Sequence, residues 1–153
     1  ASLFLHDIDS KLEDNKIKII KHEHEKEDTL NNKKILVVDD DMRNIFVITS
    51  LLEEKGIKVV VGRNGLEAIK SLNENLDVDL ILMDIMMPEM DGYKAMTYIR
   101  KEQNFKRLPI IAMTAKAMED DKQKCIDAGA DDYITKPLDM DKLISLLRVW
   151  LYK

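Results

Sequence analysis

The sequence predicts an α/β fold: a five-stranded parallel sheet with helices on both faces. From Lys34 onward, short apolar and β-branched runs alternate with stretches of helical period. Those runs lack the polar alternation of a strand with one wet face, so they fit strands covered on both sides. A chain of 153 residues, 45% of them hydrophobic, is long enough for one domain with a sizeable core plus an appendage.

The elements follow in order. "KILVVDD" (34–40) is the first strand. "NIFVITSLLEEKG" (44–56) puts Ile45, Ile48 and Leu52 on one helical face, and Gly56 supplies a helix stop. "IKVVV" is the second strand, and "NGLEAIKSL" a helix with Leu66, Ile69 and Leu72 inward. "DLILMD" is the third strand and "DGYKAMTYIRK" its helix; "LPIIAMT" is the fourth strand. "AMEDDKQKCIDAG" is a helix carrying Met118 and Cys125, with Gly129 after its end. "DYIT" is the fifth strand, and "DMDKLISLLRVWLY" the last helix, with Leu143, Leu147, Trp150 and Leu151. Cys125 reads as a small buried apolar residue.

Residues 1–33 differ in character. They contain neither Gly nor Pro, are rich in Lys, Glu and Asp, and place Leu5, Ile8, Leu12 and Ile19 near helical spacing. This predicts a helical connector with a solvated charged face, ending at Asn31-Asn32, ahead of a globular domain at 34–153. All three histidines, His6, His22 and His24, lie in it. Two residues apart on a helix, His22 and His24 diverge and cannot share a metal. The chain opens on Ala1, which predicts a fragment of a longer protein.

A formal net charge of −5 argues against a nucleic-acid surface. The single cysteine excludes an internal disulfide and fits a reducing compartment. No apolar run approaches the roughly 18 residues a bilayer span needs, and "ASLFLHDID" lacks the form of a signal peptide. A cytoplasmic protein without membrane insertion is the expectation.

Strands that all run one way gather their carboxyl ends on one edge, where ligands of open α/β sheets bind. The first strand ends in Asp39, Asp40 and Asp41, the third in Asp84, the fourth in Thr114 and the fifth in Lys136. Clustered carboxylates repel, and a cation removes the problem. Their hard oxygen donors select Mg²⁺ or Mn²⁺. Lys136 and the Thr114 hydroxyl add donors suited to phosphoryl oxygens. A carboxylate amid such groups can itself attack phosphorus and form an acyl phosphate. Asp84, presented by a buried strand, is the candidate. Asp41 reads as a capping or solvated acid, and Met83, Met86, Met87 and Met90 as packing.

These stretches carry a resemblance. "ILVVDDD", "LILMDIMMPEMDG", "IIAMTA" and "YITKP" make residues 34–152 similar to the receiver domain of two-component response regulators. The resemblance implies a flavodoxin-like fold of strand order 2-1-3-4-5. It implies Asp84 as phospho-acceptor, and Mg²⁺ held by Asp39, Asp40, Asp84 and the backbone carbonyl of Met86. Thr114 and Lys136 would contact the phosphoryl oxygens, with a cis bond between Lys136 and Pro137. Tyr133 would be an aromatic switch coupled to Thr114, altering the face of helix four, strand five and helix five. An ordinary half-buried aromatic is the competing role for Tyr133. Met86 and Lys116 would influence how fast water removes the phosphoryl group.

The implied donor is a phospho-histidine on a histidine kinase or a histidine phosphotransfer domain. The isolated domain would be a phospho-acceptor, not an enzyme. The lead-in "SLFLHDID" and the stop at Lys153, after the last helix, suggest the C-terminal receiver of a hybrid sensor histidine kinase rather than a stand-alone receiver. The short apolar stripe of the connector allows at most a weak homodimer. Two rivals stand beside this reading. In a haloacid-dehalogenase-like phosphatase, Asp39 would attack, Asp41 serve as acid/base, and Thr114 and Lys136 bind phosphate, leaving Asp84 idle. A non-phosphorylated interaction module of the same fold would not need the full acidic set.

Overall fold

The structure, a computed structural model, describes residues 30–87, 91–115 and 119–152. The connector before Leu30, with its three histidines, lies outside the described residues, as do Met90, Lys116 and Met118. Strands and helices alternate: β1 Lys34–Val38, α1 Met42–Glu54, β2 Lys58–Gly62, α2 Gly65–Glu74, β3 Leu80–Asp84 and α3 Gly92–Lys101. A 3₁₀ turn at Gln103–Phe105 precedes β4 Ile110–Thr114, α4 Glu119–Ala128, β5 Asp132–Thr135 and α5 Met140–Leu151. All strand pairs are parallel, in the order β2-β1-β3-β4-β5.

The unbroken apolar strands have a simple cause. On β1, Leu36 and Val38 join the core under α2, α3 and α4, while Ile35 and Val37 join the one under α1 and α5. On β3, Ile81 and Met83 point one way, Leu80 and Leu82 the other. Period-two alternation is present, but both faces are dry, so every position is apolar. β3 and β4 are buried at all positions, while the edge strand β2 is partly exposed. The core reaches back to Leu30, which is fully buried on the α1 and α5 side.

Short polar side chains start the helices. Asp41, Asn64, Asp91 and Asp139 each accept a hydrogen bond from a first-turn amide. Gly56 (φ +80°) and Gly129 (φ +117°) take the left-handed backbone after α1 and α4. One expectation fails on α2: Leu66 is 53% exposed, and the buried stripe is Gly65, Ala68 and Leu72, with Ile69 partly covered. The reason is a close approach: a Cβ on Gly62 would lie 3.0 Å from the Ala68 amide nitrogen. Only small residues fit against β2 there, and this turns Leu66 outward. Cys125 is fully buried, as expected. Trp150 is half-buried, its indole N–H donating to Asp132 at 3.0 Å.

The amino-terminal ends of β4 and β5 are stapled by one side chain. Arg100, at the end of α3, donates to the carbonyls of Gly129 (2.8 Å), Phe105 (2.9 Å) and Leu108 (2.6 Å). It also pairs with Asp131 at 2.7 Å, and that carboxylate accepts the Ile110 amide at 2.9 Å. Removing the guanidinium strands several carbonyls at once. Arg100→Ala is expected to cost about 3 kcal/mol in urea unfolding. Arg100→Lys should recover less than half of that, since an ammonium cannot span the fork.

Candidate functional site

Topology brings the acids together. β1 and β3 are neighbours, with Val38 opposite Met83. Asp39 and Asp84, each one residue further on, therefore meet at the carboxyl edge. β3 pairs with β4 through Asp84 and Met113, placing Thr114 just beyond. The Lys136 amide donates to the Thr114 carbonyl at 2.7 Å, which ties the end of β5 to that of β4. The Lys136–Pro137 bond is cis, as the resemblance implies.

Among the described residues, the buried polar side chains are Asp39, Asp84 and Thr114. All three stand on this rim. Lys136 Nζ lies 3.1 Å from Asp39 Oδ2 and 3.3 Å from Asp84 Oδ1. Asp39 Oδ1 accepts the Asp41 amide at 2.9 Å, and Oδ2 a weak bond from Asn44 Nδ2 at 3.4 Å. Asp84 Oδ1 accepts the Met86 amide at 3.2 Å. Carboxylate oxygens of Asp39, Asp40 and Asp84 lie within 4.8 Å of one another, Asp40 alone being exposed.

One ammonium does not neutralise this group. Burial, followed by the charge of Asp39, pushes the Asp84 carboxyl up to about 7, although Lys136 and the Met86 amide pull the other way. Burial opposes the charge on Lys136, but its hydrogen bond to Asp39 and the nearby carboxylates outweigh that and hold it above its ordinary value. The rim thus carries an unmet negative charge on oxygen donors. That chemistry fits a hard divalent cation.

The other sequence candidates separate cleanly. Asp41 is not among the clustered carboxylates: it caps α1 through the Arg43 amide (2.9 Å) and pairs with the Arg43 guanidinium (3.3 Å). Its first-turn bonds hold its carboxyl below the usual carboxylate range. A phosphatase acid/base is therefore not in place, while Asp84, idle in that reading, sits at the centre. The Met86 backbone adjoins the acceptor candidate, and its side chain is 72% exposed. Tyr133 is half-buried beneath Lys122, whose Nζ is 4.9 Å from the ring centre. It pairs with Ala112, two positions before Thr114 opposite Thr135. Sequence reasoning missed Asn44, which reaches back to Asp39 from the first turn of α1. Its place five residues after Asp39 was the available signal.

Comparison with known proteins agrees with this geometry. The family model described as the response regulator receiver domain matches residues 35–148. The hybrid signal transduction protein dokA of Dictyostelium discoideum is 42% identical over 120 residues, covering 78% of this chain. The chain spans only 7% of that relative's length. The polar-differentiation response regulator DivK of Brucella anthropi is 33% identical, with 78% of this chain and 96% of DivK aligned. Among solved structures, the receiver domain of a Pseudomonas aeruginosa sensor histidine kinase has a TM-score of 0.74 at 37% identity. The match covers 80% of this chain and 99% of that one, and that structure holds a magnesium ion in its active-site cleft.

The raised Asp84 carboxyl sets a pH dependence. A carboxyl that holds its proton more tightly when folded costs stability as pH rises from its ordinary 3.8 toward about 7. Without divalent metal, Asp84→Asn should therefore stabilise the protein at pH 8 by an amount on the order of 2 kcal/mol. Near pH 3.5 the variant should match the parent. Thermal unfolding at the two pH values in chelator checks this, and an equal shift at both would refute the charge argument.

Proposed function

The chain belongs to the response regulator receiver domain family, and from that premise we propose how its rim takes up a phosphoryl group. Receivers are the phospho-acceptor modules of two-component signalling, and this domain is one of them. The acceptor we assign is Asp84. The observation that carries the assignment is its position: the end of the central, fully buried β3, 3.3 Å from Lys136 and held by the Met86 amide.

In this reading, a carboxylate oxygen of Asp84 attacks phosphorus in line with the phosphorus–nitrogen bond of a phospho-histidine. The oxygen–phosphorus bond forms as the phosphorus–nitrogen bond breaks, and the imidazole leaves with the electron pair. Asp39 and Asp40, with Asp84 and the Met86 carbonyl, would hold Mg²⁺, or Mn²⁺ in its place. The bound ion supplies charge neutralisation for carboxylates and phosphoryl oxygens. Asp39 is kept in position by the Asp41 amide and Asn44. Lys136, already charged and aimed at both acids, can transfer its contact to a phosphoryl oxygen. The Thr114 hydroxyl is a second donor for that group.

Tyr133 is our candidate for the readout, through α4, β5 and α5. The donor would be a histidine kinase or a histidine phosphotransfer domain. Met42, Phe46 and Val47, exposed on α1 beside the rim, offer it an apolar landing face. The dokA relative favours a parent of the hybrid kinase kind. The DivK match over 96% of that protein favours the second reading, a receiver acting alone. Among the described residues no helix is long and apolar enough to cross a membrane; we place the domain in the cytoplasm, where its buried thiol stays reduced.

With acetyl phosphate and Mg²⁺, mass spectrometry should find one added phosphoryl group on Asp84. Asp84→Asn should abolish it, and Lys136→Ala should slow it at least about tenfold. An adduct on Asp39 would overturn the assignment. Met86 offers no polar group to orient a hydrolytic water. The adduct of Met86→Asn should accordingly decay faster than the parent's, by roughly threefold or more; unchanged or slower decay refutes that role.

A further inference from the structure

We infer that Gly92, with its cap Asp91, is the positioning element for the acceptor carboxylate; the inference rests on the assignment of Asp84 above. Gly92 is the first residue of α3 and is buried. Its backbone is not left-handed, so conformational freedom does not explain a glycine there. Space does. A Cβ on Gly92 would run into the carbonyl oxygen of Asp84 and come within 2.8 Å of Ile85 Cα. These are backbone atoms, which cannot swing aside as a side chain can. The Gly92 amide also donates to the Ile85 carbonyl at 3.0 Å. The first turn of α3 is thus seated directly on the Asp84–Ile85 peptide.

The acceptor is fixed from two other sides. The Ile85 amide donates to the Met113 carbonyl at 3.1 Å, and the Met86 amide holds Oδ1. Residue 92 closes the third side. Asp91 in turn fixes that turn of helix, its Oδ1 accepting the Lys94 amide at 2.9 Å. The first turn therefore has a defined height above the peptide, and the peptide has a defined place on the rim. A methyl group at position 92 must move the Asp84 backbone, the helix, or both. In-line attack tolerates such displacement poorly: an error near 1 Å can cost about a hundredfold in rate.

The test uses four variants of the full chain. The readouts are magnesium affinity by calorimetry on unmodified protein and the rate of Asp84 labelling by acetyl phosphate. Gly92→Ala should weaken Mg²⁺ binding and slow labelling, each by about tenfold or more. Gly56→Ala is the control for stability loss alone, because Gly56 has φ +80° and meets Asn31, at the other end of the sheet. It should unfold at lower temperature yet bind and label as the parent does. Should Gly92→Ala fail to fold, the cap decides. Asp91→Ala should lose magnesium affinity and labelling rate severalfold, and Asp91→Asn, an equally good cap, should restore both. Parent-like affinity and rate in a folded Gly92→Ala, equal losses in Gly56→Ala, or no difference between Asp91→Ala and Asp91→Asn would each overturn the inference. The magnesium readout does not depend on which residue is modified. Labelling of the parent elsewhere than Asp84 would overturn the acceptor assignment separately.

Discussion

Two carboxylates buried side by side, with one ammonium between them, are the constraint around which this domain is arranged. Asp39 and Asp84 end adjacent central strands, and Lys136 touches both. In water such acids would be apart and solvated. Here the parallel sheet leaves them no choice, because strand polarity delivers every carboxyl end to one edge. The arrangement is costly in isolation, and the raised Asp84 carboxyl expresses that cost. Such an excess of carboxylate attracts a hard divalent cation, and a phosphoryl group, itself negative, would need that cation and Lys136 beside it.

The rest of the fold holds that imbalance in place. Central strands buried on both faces cannot slide without exposing two cores. At the opposite edge Arg100 and Asp131 bind α3, β4 and β5 together with well-satisfied charge. The two ends are therefore different in kind. The amino edge matches the guanidinium to carbonyls and a carboxylate, while the carboxyl edge is under electrostatic tension. α3 connects them: its last turn carries Arg100, and its first turn rests on the Asp84–Ile85 peptide through Gly92.

Much of this was legible in the sequence. The element order, the parallel sheet and the acids at two strand ends follow from apolar runs interrupted by single carboxylates. Asp41 was legible as a cap because short acids after strands so often start helices. The outward turn of Leu66 was not, because helical period does not reveal which face has room; the contact between Gly62 and Ala68 decides that, and it is tertiary. Asn44 was harder to assign for a similar reason: its spacing after Asp39 was there to read, but its use depends on the turn that folds it back on that acid. The close seat of Gly92 could not be seen either: the sequence places it at the start of the third helical pattern, and only the structure shows how near it lies to the Asp84 carbonyl.

Simple magnitudes bear on how a charge change at the rim could travel. Tyr133 would have to leave Lys122 to turn inward, giving up a cation–π contact worth about 0.5–2 kcal/mol at a half-buried site. Moving a two-state element from one side to the other takes roughly 5.5 kcal/mol. On that scale the Lys122 contact would bias such an equilibrium without setting it. More of the energy would have to come from the packing of Tyr133 against the α2–α4 core and from the ties that link β5 to β4. One of those ties is the 2.7 Å bond from the Lys136 amide to the Thr114 carbonyl, which joins two proposed phosphoryl contacts through the backbone. A group that drew Thr114 and Lys136 toward Asp84 would pull on both strand ends at once. On the proposed reading the sheet edge, more than any single side chain, would then be the mechanical link between Asp84 and the outer face.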